Sequence, residues 1–310
     1  MHKSLNTAPI SPWILLPQVQ NDVSRRRAEQ RNRTLSRDIG LRAVHSLYDE
    51  LTLYPKPGLV SPVDNGSHTD MDASTFMRSL FSLRHYFIRI TRAGMDGAPF
   101  SELKQFGISA EASMLKATGG INTHRGAIFC IGMLCASIGY CRANGIAATP
   151  EAIRATLLIQ WGRALSMHCT PQGDTSHGLR VAAAYSASGA REEVALGLPS
   201  VFEVALPALR NTLAAGGSWE HARVNALFSL MAHISDTNVY HRAGAEGADI
   251  VKRASGEFLA RGGTAACDWK ERALQCHRTF VDKKISPGGA ADLLAASCLV
   301  HKMTTWMRPV

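Results

Sequence analysis

Strand signals are scarce in this chain of 310 residues. Alternating β-branched runs are nearly absent, while Ala, Leu, Met and Arg recur at helical spacing. The pattern predicts about ten helices and no sheet. No CxxC pair occurs among the seven cysteines, at 130, 135, 141, 169, 267, 276 and 298. That excludes a zinc knuckle and a disulfide scaffold, and points to free, mostly buried thiols in a reducing compartment. The longest uncharged run, Gly126–Tyr140 with its neighbour Cys141, is shorter than the ~20 residues a bilayer crossing needs. Its three glycines suit close helix packing in a core. No signal peptide is recognisable, because prolines interrupt the apolar patch at Ser11–Val19 and the basic run follows it. The Arg-rich start shares its composition with transit peptides, but a mobile tail leading into a surface helix is expected. A cytoplasmic protein with no membrane partner is expected.

Several chemistries are missing as well. There is no GxxxxGK[ST], no GxGxxG after a strand, no GxSxG elbow and no HExxH. A P-loop, a Rossmann unit, a serine-hydrolase elbow and a zincin site are therefore excluded. Lys and Arg do not interleave with aromatics in a stripe, so no nucleic-acid partner is expected.

What is present is a globular composition, 45% hydrophobic and 19% charged, which separates the chain from disordered ones. The net charge of +9 suggests an anionic partner. Arg25, Arg26, Arg27, Arg31 and Arg33 form one run, and the other cations are scattered. No Pro/Gly/Ser linker divides the chain. The expected organisation is a basic tail over residues 1–35, partly disordered or helical, and one all-helical catalytic domain over 36–310.

Helix starts are well marked. Asp72 caps a helix expected from Ala73 to about Ile90, with Met71 and Phe76 placed as a hydrophobic staple. Thr149–Pro150 opens a helix to about Met167, Ser218 caps Trp219–Ile234, and Ser286–Pro287 opens a helix through Ala290–Lys302. Asn122 or Thr123 starts an apolar helix ending near Asn144–Gly145.

Five polar clusters exceed what capping requires: Tyr54–Gly58 running into Asn65–Asp72, then Gly119–Gly126, Gly173–Gly178, Asp236–Glu246 and Ser286–Asp292. Most fall at helix N-termini, where free N–H groups and the dipole favour anions. Gly288 and Gly289 weaken a first turn by about 1 kcal/mol each relative to Ala. Either a phosphate approaching the backbone or a tight helix crossing accounts for them. Asp292, one turn on, suits a metal, a ribose hydroxyl or simple stabilisation of the helix start. Asn122 and Thr123 offer caps, and His124 and Arg125 add phosphate donors, with His124 able to move a proton. Asp236 and Asn238 present oxygens of the kind Mg²⁺ accepts, although a plain connection also uses Asp-Thr-Asn. His68, Asp70 and Asp72 alternate and can point the same way from an extended segment. Lys56 is held between prolines, either aimed at a phosphate or in a surface turn. Asp174 and His177 are an acid–base candidate; Arg191, Glu192 and Glu193 read as a solvated face.

Taken in order, LYPKPGLV and NGSHTDMD, GGINTHRGAIF, GDTSHG with GAREEV, SDTNVYHRAGAEG, and SPGGAADLLA resemble the triphosphoribosyl-dephospho-CoA synthases. The likeness runs from about Leu53 to Leu294 and leaves out the first 37 residues. It implies an all-α, single-domain multi-helix bundle with the active site at clustered helix N-termini. It implies ATP and 3′-dephospho-CoA as substrates, with Mg²⁺. The 2′-hydroxyl of dephospho-CoA attacks the ribose C1 of ATP and displaces adenine. The product is the precursor of an acyl carrier protein prosthetic group, in malonate decarboxylase or citrate lyase. The basic N-terminal extension leans toward malonate decarboxylase.

The implied roles follow the clusters. Asp236 and Asn238 with Asp70 or Asp72 hold Mg²⁺. Lys56, His68, Asn122, Thr123, Arg125, Arg242, Glu246, Ser286, Gly288 and Gly289 hold substrate and phosphates. His124, His241, Asp236 and Asp174 serve catalysis. A homodimer is the base-rate expectation. Two rival classes remain at this point: a helical Mg²⁺-dependent hydrolase of nucleotides or ADP-ribose, with water as attacker, and a non-enzymatic RNA- or carrier-protein-binding module.

Overall fold

The computed structural model describes residues 16–169 and 189–306. Helix α1 (Leu16–Leu51) is 36 residues long. Residues 25–31 on it are exposed. From Ser36 onward an i, i+3, i+4 stripe of Ile39, Ala43, Val44, Leu47 and Leu51 turns inward and is buried. Where the sequence predicts one helix from Ala73 to Ile90, there are two, α2 (Ala73–Ser82) and α3 (Arg84–Met95). The Ser82 hydroxyl donates to the Ser79 carbonyl at 2.6 Å. The Leu83 N–H that would have used that carbonyl turns to Leu80 O instead, at 3.3 Å. A serine competing for the backbone thus breaks the helix without any Gly or Pro to announce it.

Helix α4 (Phe100–Thr118) stops at Gly119, which is left-handed at φ 70°. Helix α5 (Arg125–Ala143) is apolar on nearly every side and lies at the centre. By length and hydropathy it passes for a membrane span, but 72% of the apolar window is buried inside the protein. Helix α3 crosses it on small residues. A Cβ at Gly132 would sit 2.0 Å from the Tyr86 hydroxyl, and one at Gly94 would sit 2.2 Å from Ala136 O. Of the glycines read as packing devices, Gly132 thus makes room for the Tyr86 side chain and Gly139 for the Thr91 carbonyl.

Then follow α6 (Pro150–Cys169), α7 (Ala190–Ala195) and a π-helical turn (Ser200–Ala205) that runs into α8 (Leu206–Ala214). Thr149 Oγ1 accepts the Ala152 N–H at 3.2 Å, as its capping role predicts. Helix α9 (Trp219–His233) is capped by Ser218. Helix α10 (Thr237–Ala260) kinks at Gly244, and α11 (Trp269–Asp282) and α12 (Gly288–Trp306) close the fold. Helices α1, α3, α5, α9 and α12 pack around one connected core. There is no strand among the described residues, so the fold is all-α. The seven cysteines are free thiols, with Cys130, Cys135, Cys141 and Cys298 buried and Cys267 exposed.

Candidate active site

The N-termini of α5, α10 and α12 line one cleft of about 1440 Å³, through Arg125 and Gly126, Thr237 and Asn238, and Gly288 and Gly289. The same cleft is also lined by apolar side chains, among them Met71, Phe76, Phe100 and Phe129. The lining therefore combines helix starts, with their positive dipole ends, and apolar rings.

Three of the polar clusters are stitched together beside this cleft. Arg242 donates to Ser67 O at 2.6 Å and to Lys284 O at 3.2 Å. Ser67 Oγ donates to Ile285 O at 2.6 Å, and His68 Nε2 meets Ser286 Oγ at 2.8 Å. Asp236 joins the two helix starts. Its Oδ1 accepts the Asn238 N–H at 2.9 Å, and its Oδ2 accepts the Ala290 N–H at 3.1 Å. A Cβ on Gly289 would lie 2.9 Å from Asp236 Oδ1, and one on Gly288 would lie 3.1 Å from Asn238 Nδ2. The glycine pair thus has a packing cause, and the Asp236 carboxylate already occupies the α12 start. Burial raises the Asp236 pKa, and the N–H bonds it accepts act in the opposite direction.

His124 is the residue before α5 and is 2% exposed. Its Nδ1 meets Ser79 Oγ at 2.6 Å, and Thr123 Oγ1 donates to the same Ser79 hydroxyl at 2.7 Å. Phe76 packs edge-on to its ring with centroids 5.0 Å apart. Burial first, and the Lys56 charge second, push its pKa down to about 3. His124 is a neutral imidazole at physiological pH and has no extra proton to give. Lys56 is not a surface turn. It is 1% exposed, and its Nζ donates to Glu50 Oε1 at 2.6 Å and to Glu50 O at 3.0 Å. Desolvation lowers its pKa, and Glu50 opposes that.

The expected magnesium set does not assemble. Asp72 Oδ1 accepts from Thr75 N, Thr75 Oγ1 and Ser74 Oγ as the α2 cap. Those bonds hold its pKa down to about 2. The side chain of Asp70 is 60% exposed, 3.7 Å from His68 Nδ1. Neither lines the cleft that Asp236 and Asn238 line. No group of three or more His, Cys, Asp or Glu is placed to hold a metal among the described residues. These side chains do not fit a resident Mg²⁺.

The remaining predicted residues divide. Asn122, Thr123, Arg125, His241, Arg242, Ser286, Gly288 and Gly289 line the cleft. Asn122 Oδ1 also caps the Arg125 N–H at 3.2 Å, and Arg125 pairs with Glu111 at 2.5 Å. Glu246 is 82% exposed beside Lys283, past the Gly244 kink and outside the cleft. Asp174 and His177 lie outside the described residues. Glu193, read as part of a solvated face, is buried and accepts from Ser200 Oγ at 2.6 Å. Glu50, Glu111 and His168 also line the cleft and carried no sequence signal, since each sits in a helix with no Gly-rich neighbour.

Geometry alone defines an all-helical protein with a large cleft at clustered helix N-termini, lined by both polar groups and apolar rings. The family model described as ATP:dephospho-CoA triphosphoribosyl transferase matches residues 36–309. A probable 2-(5″-triphosphoribosyl)-3′-dephosphocoenzyme-A synthase of Acinetobacter calcoaceticus is 39% identical over 265 residues, 86% of this chain and 90% of that protein. A 2-(5″-triphosphoribosyl)-3′-dephosphocoenzyme-A synthase of Pectobacterium atrosepticum is 35% identical over 285 residues, 90% of this chain and 93% of that protein. No solved structure matches. The chain belongs to the ATP:dephospho-CoA triphosphoribosyl transferase family and is a transferase.

Proposed function

We propose that this chain transfers the triphosphoribosyl group of ATP to the 2′-hydroxyl of 3′-dephospho-CoA and releases adenine, and that the cleft is the site. The observation that carries this placement is the convergence of three helix N-termini on a cleft that aromatic rings also line. Two nucleotide-sized substrates need more room than one drug-sized ligand, and about 1440 Å³ is above the usual range for a single ligand. The triphosphate is retained, so it needs N–H groups and cations rather than in-line chemistry at phosphorus. Asn122, Arg125, Asn238, Arg242 and Ser286 supply those donors along the cleft. The rings of Phe76, Phe100 and Phe129 in the lining suit a base.

Substitution at the anomeric carbon passes through an oxocarbenium-like state, which carboxylates in the cleft stabilise. Magnesium is taken as part of the substrate, MgATP, in keeping with the lack of a metal-holding group of side chains among the described residues. The product feeds the prosthetic group of malonate decarboxylase; the basic extension ahead of the matched residues 36–309 supports that branch. Loss of the gene should then abolish growth on malonate and spare growth on citrate.

The reaction itself is tested with dephospho-CoA carrying ¹⁸O at the 2′ position. Retention of the label in a product with the mass of triphosphoribosyl-dephospho-CoA supports attack by that oxygen. Free triphosphoribose made from ATP without dephospho-CoA would instead show a hydrolase.

A further inference from the structure

We propose that Asp292 is the general acid that protonates the departing adenine. This rests on the transferase reading above. Asp292 lies in the first turns of α12, and its side chain lines the cleft. Its carboxyl is backed onto the first turn of α5. A Cβ at Gly126 would sit 2.2 Å from Asp292 Oδ2, and the Ala127 N–H bonds to the carboxyl. Gly126 is therefore the opening that lets this carboxyl sit at the α5 start and face the cleft.

Its electrostatic surroundings are acidic. Glu50 on α1 and Asp236 ahead of α10 both act on it with like charge. Glu193 on α7 and the Cys130 thiol on α5 lie in the same network. The ammonium within that group, Lys56, is already bonded to Glu50. His124 at the α5 start is neutral. No ion pair involves Asp292 among the described residues. Burial and these like charges raise its pKa well above the ordinary carboxyl value. The Ala127 N–H bond acts in the opposite direction, and a carboxyl that lines the cleft with its protonated form favoured by burial and like charge is the arrangement a leaving base requires. The other candidates are committed elsewhere: Asp236 to two helix starts and Glu193 to Ser200.

The step balances without any further reagent. The 2′-oxygen of dephospho-CoA bonds to C1 of the ribose as the C1–N9 bond breaks. The electron pair leaves with adenine, which takes the Asp292 proton at a ring nitrogen. The proton lost by the attacking hydroxyl restores the carboxyl through water, so nothing is oxidised or reduced.

The test uses ATP and N7-methyl-ATP, whose base is already cationic and leaves without being protonated. Asp292→Asn should lower kcat on ATP by about 10²–10⁴-fold, the usual worth of a positioned acid. It should recover at least about tenfold of that loss on N7-methyl-ATP, with the dissociation constant for ATP nearly unchanged. Gly126→Ala, which displaces the carboxyl without removing it, should show the same recovery with a smaller loss. An equal deficit on both nucleotides, or a deficit erased by raising Mg²⁺, would overturn the proposal. If the parent enzyme releases no adenine from ATP with dephospho-CoA, the transferase reading fails, and this inference fails with it.

Discussion

Replacing His124 with Gln should flatten the acid side of the stability curve. The folded protein holds His124 neutral, its pKa pushed down to about 3 by burial and by Lys56. An unfolded histidine titrates near pH 6.5. The folded value is depressed, so the stabilisation is present above pH 6.5 and is lost as pH falls toward 3. Over that window, unfolding takes up one proton at this residue, worth about 1.4 kcal/mol per pH unit. Between pH 7.5 and 4.5 the loss from this one group is roughly 2.5 kcal/mol. The assay is urea unfolding of parent and His124→Gln at both pH values. Carboxylates that titrate in both proteins cancel in the comparison. The parent should lose roughly 2.5 kcal/mol more than the variant over that span. Equal losses would refute the claim that His124 is buried and neutral, whatever the variant's absolute stability.

Other expectations follow from single contacts. Gly132→Ala forces a methyl against the Tyr86 hydroxyl, 2.0 Å away, at the α3–α5 crossing. It should cost about 1–3 kcal/mol by denaturant melt, the usual penalty for overpacking. Lys56→Met leaves Glu50 buried without its cation, and should cost about 3–5 kcal/mol. Adding Glu50→Leu should recover much of that, which a double-mutant cycle reads directly. Asp72→Ala removes a helix cap and should lower the melting temperature modestly. It should leave the Mg²⁺ dependence of turnover unchanged, which a titration of rate against Mg²⁺ checks.

The helix starts were the most legible part of the sequence, because capping is local chemistry. Asp72, Thr149 and Ser218 cap as their side chains predict. The break at Leu83 was not legible, because it depends on which acceptor Ser82 chooses inside a continuous helical pattern. At the site, the sequence singled out the segments but not the job of each atom. Asp236 read as a ligand or part of a plain connection, and Gly289 as a phosphate approach or a tight helix crossing. They explain each other once α10 and α12 are seen to meet, a contact between residues far apart in the chain. Alternation placed His68, Asp70 and Asp72 on one side, but the demands of a helix cap took Asp72 away. Lys56 and Glu50 carried no signal of their pairing, because an ammonium between prolines reads equally as a phosphate contact or a surface turn until the helix beside it is placed.

Adenine release from MgATP by the purified protein, followed with each component omitted in turn, is the most direct test of the proposed reaction. Adenine should appear only when ATP and 3′-dephospho-CoA are both present, in equal amount to the triphosphoribosylated product. Adenine or triphosphoribose formed from ATP alone, at the rate seen with both substrates, would contradict it.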